Sequence, residues 1–417
     1  MALRLVTGFE QGSVAGITNG ALTRKYADQV FGTAVSVSVT TSSPRTGAYA
    51  LHLVGVSTGT AAAVNWGTDT LATAQTRLLL TFAFKFPSSL PPADTPISVM
   101  HSFASDPGIW FITSRDGRTN VIAVSFDDAN FFYSVQSVTT GVWYYLEAHL
   151  DVSANPHVVT WRLDGLEAQQ ATAAVAASTI AEFDIGYRGG TRDYTVDYDD
   201  VTAWTDTANI PYIGRHKVQG VFVDGAGTVT VTGSTANFST FAGATPTLTA
   251  WNATTARNNI DEVPPNLTTA QDGFTQTTVG VGTQYVEIPM TTYTIGTSEK
   301  VTGARLVVCG WQQTTGSCDI GVRSWNGTTE TIVAPVTANI ALGNNTTTPG
   351  WICGMLTTAD INTQTKLDAL AFRVGFSTDA TPDIGVQNII AEVAIAEGTR
   401  RTGPTRSWQP INRASYY

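Results

Sequence analysis

Apolar and polar residues alternate with a period of two through much of this chain, most clearly at residues 78–86. Leu78, Leu80, Phe82, Phe84 and Phe86 share one face there, opposite Leu79, Thr81, Ala83 and Lys85, which predicts a half-buried strand ended by Pro87. Val142, Tyr144, Leu146, Ala148 and Leu150 repeat the pattern, with Trp143, Tyr145, Glu147 and His149 on the other face. Further strands are predicted at residues 3–9, at 48–54 after a turn at 43–47, and at 158–163 before Asp164-Gly165. Residues 109–113 and 121–124 flank Asp116-Gly117 as a hairpin, and 131–135 add another strand. Residues 168–180 are Ala-rich, and their pattern leaves a helix and a loop around a short strand both open.

The stretch at residues 193–204 reads as the strand that closes a first domain. Its apolar residues fall on even positions (Tyr194, Val196, Tyr198) and then on odd ones (Val201, Ala203), so the alternation slips at Asp199-Asp200. A bulge would absorb that slip. A polar connection follows at 205–211, and further strands are predicted at 218–223, 285–288, 301–311, 319–325, 369–376 and 389–395, with a short helix or turn within 357–370. The expected organisation is a β domain over 1–206, a second β-sandwich domain over 207–398, and an extended arm over 399–417.

Composition supports an all-β chain. Charged residues make up only 13% of the 417 residues, and Thr, Gly, Ala, Val and Ser take the space, which favours strands and turns. The formal net charge of −10 argues against nucleic acid as a partner, because phosphate binding needs clustered Lys and Arg. The start has no long apolar core, and no run approaches the length of a membrane span, so a soluble protein made in a cytosol is expected, with no membrane partner. On that reading the sequons at Asn252 and Asn326 are accidents of a Thr-rich chain. Cys309, Cys318 and Cys353 lie far apart and are odd in number, which suits small buried hydrophobes and neither zinc nor a disulfide framework.

Short motifs in a set order then carry a resemblance over roughly residues 5–206. Gly8-Phe9-Glu10, Arg45-Thr46-Gly47 with Tyr49 and Leu51, Gly141-Val142-Trp143-Tyr144-Tyr145-Leu146-Glu147, Leu163-Asp164-Gly165 and Asp199-Asp200-Val201 together resemble a LamG-like, concanavalin A-like lectin/glucanase jelly roll. Such domains are similar to those of bacteriophage minor tail and other virion proteins, in which a second β domain follows. The resemblance implies a structural component of a tailed phage (minor tail, baseplate or fibre), made in the host cytoplasm and located in the virion. Its partners would be other virion proteins, copies of itself and a host-surface glycan. A capsid decoration protein, or a bacterial protein like a carbohydrate-binding module, is the alternative.

Candidate chemistry follows from the same residues. Cleavage of a glycan needs two facing carboxylates, and Asp197 and Asp199 are the nearest pair. Glucanase relatives of this fold carry a Glu-x-Asp-x-Glu strand, which is missing here, so the resemblance implies a non-enzymatic member. Glu10 and Asp199 or Asp200 would meet if the first and last strands are neighbours, and hard oxygen donors suit a structural Ca²⁺. Trp110, Tyr133 and Trp143 are the candidate platforms for a sugar ring. Arg400, Arg401, Arg406, Trp408 and Arg413 form a basic, aromatic tail without acids, a candidate assembly arm that orders on a neighbouring subunit.

Overall fold

The computed structural model describes residues 2–14, 26–27, 29–32, 36–56, 62–91, 97–102, 108–115, 117–126, 131–166, 169–187, 193–205, 212–224, 227–241, 249–258, 260, 273–276, 285–312, 320–325, 330–335, 350–356, 361–376 and 384–398. The expected arm at 399–417, including Arg400, Arg401, Arg406, Trp408 and Arg413, lies outside the described residues, as does Cys318.

The chain opens with β1 (Ala2–Thr7), β2 (Gln29–Phe31), β3 (Val37–Thr40), β4 (Ala50–Gly55), β5 (Ala62–Trp66), helix α1 (Thr68–Leu71) and β6 (Arg77–Lys85). It continues through β7 (Ile97–Ser102), β8 (Gly108–Arg115), β9 (Arg118–Ser125), β10 (Phe131–Ser137), β11 (Tyr144–Asp151), β12 (His157–Leu163), β13 (Gln169–Ala173), β14 (Phe183–Tyr187) and β15 (Tyr194–Thr205). The second half contains β16 (His216–Phe222), β17 (Thr230–Thr232), β18 (Phe238–Phe241), β19 (Thr249–Ala250), α2 (Ala253–Asn258), β20 (Gly273–Gln276) and β21 (Tyr285–Pro289). It ends with β22 (Lys300–Gln312), β23 (Ile320–Trp325), β24 (Glu330–Pro335), β25 (Gly350–Leu356), α3 (Gln364–Asp368), β26 (Ala371–Phe376) and β27 (Ile384–Ala396). The all-β expectation holds. The open choice at 168–180 resolves to a short strand, β13, and the short helix or turn expected within 357–370 resolves to a helix, α3, capped by the Thr363 hydroxyl.

Among the described residues these strands form four antiparallel sheets. One runs β13-β12-β11-β6-β15-β4-β3 with β1 beside β15, and it faces a sheet ordered β10-β9-β8-β7-β14-β5-β2. Their inner faces meet in one core: Leu80, Phe82 and Phe84 from β6 and Leu146 from β11 pack with Ile122, Val124, Phe183 and Ile185 from the facing sheet. A side chain of that kind contributes about 1.5–3 kcal/mol when fully buried. The second half pairs a sheet ordered β19-β18-β20-β27-β22-β25, with β16 beside β27, against β17-β21-β26-β23-β24. Val308 and Val393 pack there with Val286 and Ile288.

The sheet through β27 and β22 is buried on both faces. Val301, Leu306, Val308, Val393 and Ile395 point into the second core, while Val307, Cys309, Cys353 and Ile390 join the core of the first sandwich. Val6, Val218 and Ala394 extend that contact under β1. Double burial explains why Ala391–Ile395 reads as an apolar run interrupted only by Glu392.

One expectation needs correcting. The second face of β6 was expected to be open, yet Leu79, Thr81, Ala83 and Lys85 are all buried. Residues 212–216 lie over that face of the sheet: Gly214 N–H donates to Glu147, Arg162 stacks on Tyr212, and His216 lies 6.1 Å from the Trp204 ring. A two-residue period shows that a strand has two faces, but not that a later segment will cover the second one.

Candidate functional site

Strand β15 changes neighbours at its bulge, and that change builds the most distinctive cluster in the molecule. Its residues Tyr194–Tyr198 pair with β4 and Val201–Thr205 with β1, both antiparallel, while the ladder to β6 shifts register between Asp199 and Thr202. Asp200 takes a positive φ of 54°. The slip at Asp199-Asp200 expected from the alternation is therefore present, and it leaves both carboxylates without ladder neighbours on the β4/β1 side.

The turn at residues 45–48 fills that gap. Asp199 Oδ2 accepts the N–H groups of Arg45 at 2.9 Å and Thr46 at 3.1 Å, and Asp199 Oδ1 accepts the Asp200 N–H. Asp200 pairs with the Arg45 guanidinium and accepts the Thr46 hydroxyl and the Val218 N–H. Arg45 also donates to the His216 carbonyl at 2.8 Å and to Glu397 at 2.7 Å. Glu10, in the turn after β1, accepts the Ala48 N–H at 3.2 Å.

Glu392 of β27 lies on the other side of Glu10. Its carboxylate accepts the N–H groups of Gly8 and Glu10 and the hydroxyls of Thr7 and Tyr26. Arg305 stands opposite Glu392 in the β22–β27 register, donates to the Tyr26 carbonyl at 2.7 Å and lies 4.4 Å above the Tyr26 ring. Glu10, Asp199, Asp200 and Glu392 are all at 0% exposure, which makes this a fully desolvated group of acids at the junction of the two sandwiches.

Desolvation decides their protonation. It pushes Glu10 up to about 8, with help from Glu392 and Asp200. Burial also raises Asp199 well above the usual carboxylate range, and raises Asp200 and Glu392 although Arg45 and Arg305 oppose it. Burial pushes His216 down to about 4, so it stays neutral beside them. A carboxyl raised from 4.5 to about 8 on folding stabilises the protein fully below the lower value and loses that contribution as pH rises through the upper one. Urea-unfolding free energies are therefore expected to fall between pH 4.5 and 8, and Glu10→Gln should flatten the fall; an unchanged slope in that variant would remove Glu10 as its source.

The structure thus brings Glu10, Asp199 and Asp200 together, as expected for the calcium candidates. The donors around them are N–H and O–H groups of the protein, and the cation facing Asp200 is a guanidinium. Among the described residues, no group of three or more His, Cys, Asp or Glu side chains is arranged to hold a metal ion. Asp197 and Asp199 do not face an open cleft: Asp197 is 2% exposed and bound to His52 at 2.6 Å and Lys85 at 3.2 Å.

Two of the three sugar-ring candidates share a sheet and the third does not. Trp110 stands opposite Ala123, and Ala123 stands opposite Tyr133, so the three occupy one row across β8, β9 and β10. Tyr133 is half-buried with Val121 and Ala123, outside the main core, and its ring stacks on Phe131 at 6.4 Å. Trp143 immediately precedes β11 of the other sheet, and there its indole N–H donates to the Ser43 carbonyl and Lys85 sits 4.7 Å from its ring.

The sequence reading missed Tyr26, Arg305 and Glu392. A signal was present in the last two: Arg305 is the one charge in KVTGARLVVCGWQ after its first residue, Lys300, and Glu392 is the one charge in IGVQNIIAEVAIA. Charges in such runs are buried with partners or not at all. Tyr26 gave no comparable sign.

No protein-family model and no curated protein matches the chain. Among solved structures it is similar to the alginate lyase Aly36B, at 10% identity and a TM-score of 0.34, over 47% of this chain and 97% of that one. It is also similar to domain 4 of AbnA, an extracellular arabinanase from Geobacillus stearothermophilus solved with arabinotriose, at 13% identity and a TM-score of 0.34, over 49% and 92%. A Trypanosoma rangeli sialidase matches at 14% identity and a TM-score of 0.29, over 40% and 26%. These are likenesses of fold, of the β-sandwich jelly-roll kind. The expectation of a non-enzymatic protein is corrected by this finding, since an alginate lyase, a domain of an arabinanase and a sialidase are among the similar structures.

Proposed function

We propose that this chain is a virion component of a tailed bacteriophage, placed in the tail, baseplate or fibre, that meets host-surface glycans through the sheet β10-β9-β8-β7-β14-β5-β2. The observation that carries the glycan reading is the row Trp110, Ala123, Tyr133. Adjacent strands are about 4.8 Å apart, so positions 110 and 133 stand about 10 Å from each other across β9. Such a spacing is about twice the advance of one sugar residue and suits every second ring of an extended saccharide chain. The virion reading is supported by the ordered motifs of residues 5–206, followed by a second pair of sheets. Other virion proteins and further copies of this chain are its partners in that reading.

A glycan array probed with the full chain tests the first part. Bound saccharides should lose about threefold to tenfold in affinity when Tyr133 becomes Ala, the amount an aromatic contact contributes. Equal binding by Tyr133→Ala and the unchanged chain would remove this face from the reading. Cryo-electron microscopy of purified particles tests the second part, and absence of the chain from every particle would end it.

A further inference from the structure

We infer that the buried acids at the junction hold an internal cation, the Arg45 guanidinium, and that this clamp makes the two sandwiches a single cooperative unit. Arg45 belongs to a turn of the first half, yet its contacts run to both halves: Asp200 on β15, the His216 carbonyl on β16, and Glu397 just after β27. The Thr46 hydroxyl repeats the same bridge, to Asp200 and to the Val218 carbonyl at 3.1 Å. Asp200 returns it by accepting the Val218 N–H. Two consecutive residues of one turn therefore tie β15 to β16, Arg45 through its guanidinium and Thr46 through its hydroxyl, and Gly47 beside them leaves room for Glu10. A Cβ at Gly47 would lie 1.9 Å from Glu10 Oε1.

The second arginine closes the far end of the cluster. Arg305 on β22 lies beside Glu392 and holds Tyr26 by its carbonyl and ring, and Tyr26 reaches Glu392 through its hydroxyl. The groups facing the cluster are then Glu10, Asp199, Asp200, Glu392 and Glu397 against Arg45 and Arg305, with Tyr26, Tyr49, Tyr145 and His216 around them. Arginine suits this place because its planar fork serves several oxygens at once and keeps its charge when desolvated. A hard metal ion would need those same oxygens free. Apolar packing of Val307, Cys309, Cys353 and Ile390 into the first core supplies adhesion between the halves, while the directional bonds of Arg45 and Thr46 fix their relative position.

Differential scanning calorimetry of the full chain, with and without EDTA, tests the clamp. The unchanged protein is expected to melt in one transition that EDTA does not move. Arg45→Ala is expected to split that transition in two, with the lower step displaced downward by several degrees, and Arg45→Lys to fall between. If Arg45→Ala does not fold, Thr46→Val and Glu397→Gln carry the test, each lowering the transition temperature by a smaller amount. A transition that EDTA lowers and calcium restores would assign the acids to a metal and overturn the inference. So would a single, unshifted transition in Arg45→Ala, or in both milder variants.

Discussion

Replacing Glu392 by Ala is expected to destabilise the protein by about 3–5 kcal/mol, the range seen when one partner of a buried charge network is removed. The carboxylate accepts the Gly8 N–H at 3.2 Å, the Glu10 N–H at 3.1 Å, the Tyr26 hydroxyl at 3.1 Å and the Thr7 hydroxyl at 3.3 Å. Truncation strands those donors where water does not reach, and leaves Arg305, at 3% exposure, without the carboxylate opposite it. Glu392→Gln keeps an acceptor oxygen and should cost less than the alanine. Urea unfolding followed by far-ultraviolet circular dichroism measures both, and a loss below about 1 kcal/mol for the alanine would show that the network contributes little.

The second large effect is expected at Gly47. Its φ of +61° lies in the left-handed region, and an added Cβ would stand 1.9 Å from Glu10 Oε1 and 2.6 Å from Glu10 Cδ. Left-handed backbone costs about 1–2 kcal/mol and overpacking a further 1–3, so Gly47→Ala should lose about 2–5 kcal/mol. Gly141 provides the control. Its φ is +75° with nothing within 4 Å of an added Cβ, so Gly141→Ala carries the backbone cost alone. Equal losses at the two positions, read from thermal melts, would mean that the Glu10 carboxyl yields freely and that the junction is looser than its burial implies.

Much of the fold was legible because it depends on neighbours in sequence. Period-two alternation marks β6, β11 and β12, turn residues bound the β8–β9 hairpin, and the change of parity at Asp199-Asp200 marks the bulge that the β15–β6 register contains. The meeting of Glu10 with Asp199 and Asp200 was also within reach, since it required only that the first and last strands of one sandwich be neighbours, as β1 and β15 are.

The tertiary structure alone decided what those acids face. The bonds from Thr7, Gly8, Glu10 and Tyr26 to Glu392 join residues more than 360 positions apart, and no local pattern encodes such a contact. Tertiary packing also buried the second face of β6 and sent one face of β22 and β27 into the first core. The physical reason is the same in each case. Alternation reports which side chains leave water together, whereas the partner that displaces the water is chosen by shape and charge across the folded surface. Arg45 illustrates the division: its turn is written in Ser43-Pro44-Arg45-Thr46-Gly47, and its role as the cation of a buried acid cluster exists only once β15, β16 and β27 stand around it.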